Sequence, residues 1–115
     1  MKSFIIYHNP RCSKSREALD LLRKQGIEPT IIEYLKSPLS KQQLRELRQQ
    51  FNLKDFVRTS EPAFKRLELR LEDETTVLEA MLAEPSLMQR PIVVCDGHAI
   101  IARPPEKVLA LINRS

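Results

Sequence analysis

The stretch Phe4-Ile5-Ile6-Tyr7-His8-Asn9-Pro10-Arg11-Cys12-Ser13-Lys14-Ser15-Arg16 decides how the chain is read. Phe4–Tyr7 is apolar and rich in strand formers, and the segment from Arg16 to Gln25 sets Ala18, Leu19, Leu21 and Leu22 at helical spacing. Cys12 lies at the junction, where a helix start presents unpaired N–H groups and the positive end of its dipole. Arg11, Lys14, Arg16 and His8 add positive charge nearby. Such surroundings lower a thiol pKa and produce a thiolate nucleophile, whereas an isolated cysteine elsewhere is usually a small buried filler.

Outward from this junction, the spacing predicts a strand over Ser3–Tyr7, a loop over His8–Cys12 and a helix over Ser13–Gln25, with Gly26 as its stop. The β-branched run Thr30–Tyr34 predicts a second strand, parallel to the first because a helix intervenes. Ser40 is a candidate N-cap for a helix from Lys41 to about Gln50, which carries Leu44 and Leu47. The segment Asn52–Asp73 is less regular and contains Arg58 and Glu61-Pro62. A further helix is expected over Thr75–Ala83, with Val77, Leu78, Met81 and Leu82 on one face. Arg90-Pro91 then opens the continuous apolar run Ile92–Cys95, a buried strand. Asp96-Gly97 is a two-residue hairpin signal leading to Ala99–Ala102, and Pro104-Pro105-Glu106 suits the first turn of a last helix ending near Ile112.

The order β-α-β, helical insert, β-β-α is that of a thioredoxin-like α/β fold with a mixed sheet. It predicts a single domain over residues 1–115 with the insert at about 38–88. In that arrangement a cis-proline faces the cysteine. Pro91 stands at the matching place, since X-Pro is the bond type at which cis is accessible.

Composition narrows the class. The chain has 115 residues, of which 42% are hydrophobic and 30% charged, enough for one hydrophobic core. The net charge of +4 is spread among acids from Lys2 to Arg114, which argues against nucleic-acid binding. Two cysteines, Cys12 and Cys95, with no CxxC pair, exclude a disulfide scaffold and an ordinary structural zinc site. The apolar run at Phe4–Tyr7 is too short for a signal segment, and no stretch has the length of a membrane span. The chain therefore reads as a reduced, cytoplasmic protein without metal.

Several motifs together resemble the glutaredoxin-linked arsenate reductases, a family related to the Spx-type regulators. They are His8-Asn9-Pro10-x-Cys12 with Ser15-Arg16, Glu28-Pro29-Thr30, Tyr34-Leu35, Arg58 followed by Glu61-Pro62, Arg90-Pro91-Ile92-Val93-Val94, and Arg103-Pro104. They run in family order across essentially the whole chain. The resemblance implies Cys12 as the nucleophile that forms a covalent adduct with arsenic. It implies that His8 and the helix start hold the thiolate, with Ser15 near the sulfur. Arg58, Arg90 and Arg103 would grip arsenate. Glutathione, a co-substrate and not a bound cofactor, would attack the adduct, and glutaredoxin would resolve the mixed disulfide and release arsenite. The chain ends soon after its last helix, and the Arg58–Glu61 spacing is one residue tighter than in longer plasmid-borne members. Both features resemble the compact chromosomal-type subgroup, here taken as a monomer.

The chemistry of the residues agrees with this reading. Arginine forks match a tetrahedral oxyanion and neutralise it, so a thiolate can approach. With no CxxC partner, an external thiol must complete a redox cycle. Duller readings stand beside these: Arg58 as a surface charge, Arg103 as a charge blocking an edge strand, His8 as a hydrogen-bonding residue at a helix start, His98 as surface, and Cys95 as a buried, inert thiol. Two other functions are compatible with the fold. One is a monothiol oxidoreductase acting on mixed disulfides. The other is an Spx-type transcription regulator, although Ser15 replaces the second cysteine of the usual CxxC switch. A phosphatase loop CxxxxxR is excluded, because Ala18 occupies the arginine position.

Overall fold

A computed structural model describes residues 3–114, and Met1, Lys2 and Ser115 lie outside the described residues. Two compact units divide the chain, one made of Met1–Ser37 with Arg90–Ser115 and the other of Pro38–Gln89.

The first unit holds a four-stranded sheet in the order β2-β1-β3-β4. Its strands are β1 (Phe4–Tyr7), β2 (Thr30–Ile32), β3 (Ile92–Cys95) and β4 (His98–Ile101). β1 runs parallel to β2 and antiparallel to β3, and β3 runs antiparallel to β4, so the sheet is mixed. The helix α1 (Ser13–Lys24) makes the crossover between the parallel strands. Its end follows from Gly26, whose φ of 77° lets the Gly26 N–H reach the Arg23 carbonyl and the Ile27 N–H reach the Leu22 carbonyl, both at 3.0 Å. At the hairpin, Asp96 and Gly97 both adopt positive φ (48° and 85°), the two-residue turn whose twist matches the strands.

Cross-strand registers explain the core. Phe4 faces Cys95 and Ile6 faces Val93 on one side of the sheet. Ala18, Leu19 and Leu22 of α1, Ala102, and Val108 and Leu111 of the closing helix α6 (Val108–Ile112) pack on that side. Tyr7 and Ile92 pair on the opposite side and are also buried.

Pro38–Gln89 forms a helical unit: α2 (Lys41–Arg48), α3 (Leu53–Phe56), α4 (Pro62–Arg66), α5 (Glu74–Ala83) and a short 3-10 turn at Pro85–Leu87. Ser40 caps α2 through a capping box with Gln43. Leu44, Leu47, Phe56, Val77, Met81 and Leu87 are buried here, and the rings of Phe51 and Phe56 stack with centroids 5.9 Å apart. Arg48 ties the unit together, donating to the Phe51 carbonyl and to Glu74, each at 2.7 Å.

The structure departs from the sequence reading at element ends. β2 stops at Ile32 because the Glu33 carbonyl accepts from the Lys36 and Ser37 N–H groups and turns the chain, although Tyr34 is still buried. β4 begins one residue earlier than expected, at His98, paired with Cys95. The last helix starts as a 3-10 turn at Pro105–Lys107, and the irregular middle contains the short helices α3 and α4. No helix among the described residues is long and apolar enough to cross a membrane.

Leu22 is fully buried at the centre of the apolar cluster of the first unit. Leu22→Ala is expected to lower unfolding stability by about 2–5 kcal/mol, the range for a leucine that leaves a core cavity. Urea unfolding checks this, and a loss below about 1 kcal/mol would contradict the packing described.

Candidate active site

The site starts where β1 ends. The His8 N–H donates to the Ile32 carbonyl at 2.8 Å, which carries the parallel pairing one residue beyond β1 and fixes where the loop departs. The loop then closes on itself. The Cys12 N–H donates to the Asn9 carbonyl at 3.0 Å, and the Arg11 N–H donates to Asn9 Oδ1 at 3.0 Å, an asparagine-capped turn. Arg16 reaches back from α1 and donates to the Pro10 carbonyl at 2.9 Å.

Ser15, fully buried, is the inner fastening. Its Oγ accepts from the Asn9 N–H at 3.0 Å and lies 2.6 Å from His8 Nδ1. The Ser15 hydroxyl thus bridges the Asn9 amide and the His8 ring. Burial lowers the His8 pKa, opposed by Glu33 and assisted by Arg23 and Arg16, so the ring is neutral at pH 7. His8 thus meets the loop through the Ser15 hydroxyl.

Cys12 is the N-cap residue of α1 and is partly exposed. Its side chain closes no cap bond of full hydrogen-bond geometry. The field around the sulfur nevertheless favours the anion. Partial burial pushes the thiol pKa up, but the Ser15 N–H, the charge and hydrogen bond of Arg90, and the Lys14 N–H together outweigh it, and the net shift is downward. Ser15 therefore acts twice, its N–H toward the sulfur and its hydroxyl toward His8.

Arg90 comes from the loop that enters β3, and its bond to Pro91 is cis. The hairpin ladder continues past β3 and β4, with the Ala102 N–H donating to the Pro91 carbonyl at 2.9 Å. One residue further, Arg103 Nη1 donates to the Arg90 carbonyl at 2.9 Å, and the Arg103–Pro104 bond is also cis. The second cis bond had no counterpart in the sequence reading.

Arg58 stands in the helical unit. Its backbone follows a bridge between Val57 and Met88, and its N–H donates to the Leu87 carbonyl at 2.7 Å. Its Nη1 donates to Glu61 at 2.6 Å, with each side chain less than a quarter exposed, so this arginine is held by a carboxylate. Cys95, by contrast, is buried on the core side of β3 opposite Phe4, at the end of the sheet away from the Cys12 loop. His98 is exposed and hydrogen-bonded to Arg114 at 2.8 Å.

The structure therefore gathers Cys12, His8, Ser15, Arg90 and Arg103 within the first unit. Sequence reading quoted Asn9 and Glu61 inside motifs without giving them roles and took Arg16 only as nearby positive charge, yet each makes a defined contact here. Asn9 two residues before Arg11 was a legible turn signal. The Glu61 pairing across one turn was legible as an i,i+3 charge pair only if the segment curled into a turn. Among the described residues no group of three or more His, Cys, Asp or Glu could hold a metal ion.

Residues 7–111 match the ArsC family. The chain is 43% identical over 97% of its length to the Escherichia coli K12 protein called uncharacterized protein YfgD, covering 98% of that protein. It is 39% identical over 96% of its length to a Haemophilus influenzae protein named arsenate reductase, covering 99% of it. The solved structure of an arsenate reductase from Vibrio cholerae superimposes with a TM-score of 0.86 at 43% identity, covering 94% of this chain and 96% of that one. With the thioredoxin-like sheet and the Cys12 loop in place, the chain belongs to the ArsC family.

Proposed function

We propose that this protein is an arsenate reductase that works through Cys12 and an external thiol. The observation that carries the reading is a partly exposed cysteine at a helix start, its anion favoured by two main-chain N–H groups and an arginine. The names of the family relatives support the substrate.

In the proposed cycle the Cys12 thiolate attacks arsenic, and an oxygen leaves as water once protonated, giving a sulfur–arsenic(V) bond. Arg90 and Arg103 bind the oxyanion and take up charge developing on its oxygens. Arg90 has two duties, since it lowers the thiol pKa before substrate arrives and can bridge to the anion afterwards. Glutathione then attacks the adduct. Its sulfur bonds to Cys12 Sγ as the sulfur–arsenic bond breaks; that electron pair stays on arsenic, which leaves as arsenite, arsenic(III), and a Cys12–glutathione disulfide remains. Glutaredoxin then removes glutathione from Cys12 by thiol exchange, restoring the thiol. The cycle needs no bound cofactor, and it suits the reducing cytoplasm. Neutral His8 and Ser15 hold the loop that aims the N–H groups at the sulfur.

Purified protein with glutathione, glutaredoxin and an NADPH-coupled recycling system is expected to produce arsenite from arsenate, and Cys12→Ser is expected to abolish this. Full turnover by the serine variant would end the proposal. No turnover by folded wild-type protein that still removes glutathione from mixed disulfides would favour the oxidoreductase reading instead.

The lowered Cys12 pKa also fixes a pH dependence. A thiol reacts only as thiolate, so iodoacetamide labelling of Cys12 should rise with pH through its pKa, earlier than for an ordinary cysteine. Arg90→Ala should move that rise to higher pH and slow labelling at pH 7 by roughly tenfold, as for loss of a charged hydrogen bond. An unmoved profile would show that Arg90 does not act on the sulfur.

A further inference from the structure

Two arginines converge on the cis-proline corner, and they contact it differently. Arg90 directs its guanidinium to the Cys12 sulfur. Arg103 directs Nη1 to the main-chain carbonyl of Arg90, 2.9 Å away. Residue 90 lies before β3, where no strand hydrogen bond belongs to it in the register: the ladder pairs Ile92 with Ile101 and ends with the Ala102 N–H on the Pro91 carbonyl. In the alternation of an antiparallel ladder the next pair, Arg90 with Arg103, is a non-bonded one, so the Arg90 carbonyl lies outside the strand bonding and the Arg103 side chain donates to it. The orientation of the peptide at residue 90 sets the direction in which its side chain leaves, and a planar guanidinium is a rigid donor for a carbonyl.

We propose that Arg103 is a positioning residue, its guanidinium on the Arg90 carbonyl holding Arg90 in the pose that reaches the Cys12 sulfur. The sequence of contacts is Arg103 side chain, Arg90 main chain, Arg90 side chain, Cys12 Sγ. Arg103 thereby contributes to thiolate formation in the absence of any oxyanion, a role distinct from gripping the substrate. A guanidinium carries five donors, so one bond to a carbonyl is compatible with an anion on the others. The inference rests on Cys12 as the reacting thiol, but not on arsenate as the substrate.

The test is the rate of iodoacetamide labelling at Cys12, read by peptide mass spectrometry between pH 5 and 9 on the full chain without arsenate. Arg103→Ala should slow labelling at pH 7 between about twofold and tenfold, the range spanned by one hydrogen bond, and shift the profile to higher pH. Arg103→Gln keeps an N–H donor without charge and should restore most of the rate. Labelling by Arg103→Ala at the wild-type rate would overturn the proposal and leave Arg103 a role in KM for the oxyanion only. It would equally be overturned if Arg103→Lys restored the rate while Arg103→Gln did not, since charge and not the bond would then be at work. Where Arg103→Ala fails to give a native circular dichroism spectrum, the comparison of the Gln and Lys variants decides. Absence of arsenate turnover in the wild type leaves this measurement intact, because no step of it uses arsenate.

Discussion

The reactive end of the sheet depends on one constraint: the turn from Tyr7 to Ser13 must leave the first N–H groups of α1 facing a sulfur. A helix start provides unpaired donors, but only at a defined place. Here the place is set by hydrogen bonds from every side of the loop. His8 is fastened to β2 through its N–H, Asn9 to Ser15, Pro10 to Arg16, and Cys12 to Asn9. None of these bonds involves the thiol. The loop can therefore keep its shape whatever the state of the sulfur.

Arginine chemistry is divided among different surroundings. Arg90 addresses the sulfur, Arg103 the main chain of Arg90, and Arg58 the carboxylate of Glu61. An arginine paired with a carboxylate presents less net charge to an approaching anion than a lone one, while its fork is held in one direction. Such pairing exchanges raw attraction for orientation.

Much of this architecture was legible in the sequence. The strand, cysteine loop, helix and Gly26 stop were readable because local rules agree: a short apolar run of strand formers, a basic helix start, and a residue permitting positive φ. β3 and the Asp96-Gly97 turn were readable for the same reason. The end of β2 was not, since Glu33 and Tyr34 have strand-compatible neighbours and the turn arises from the Glu33 carbonyl being taken by later N–H groups. The short helices α3 and α4 also escaped, because four or five residues carry too little periodicity to register. At the site, residue identity was legible and direction was not. The family resemblance implied Ser15 near the sulfur, but only the fold separates its N–H, toward the sulfur, from its hydroxyl, toward His8. The family resemblance marked Arg103 without revealing that it donates to a backbone carbonyl.

Cys95 has a consequence for the wear of the protein. It lies at the Phe4 end of the sheet, three residues along β3 from the Ile92 end, a separation of roughly 10 Å at strand rise. It is enclosed by apolar neighbours. Cysteines so placed cannot be bridged without moving the backbone. If an oxidant converts Cys12 to a sulfenic acid, Cys95 cannot trap it as an internal disulfide, and further oxidation to the irreversible sulfinic acid competes only with capture by a dissolved thiol. The fold that exposes a single activated sulfur thus ties the working lifetime of each molecule to the thiol concentration around it.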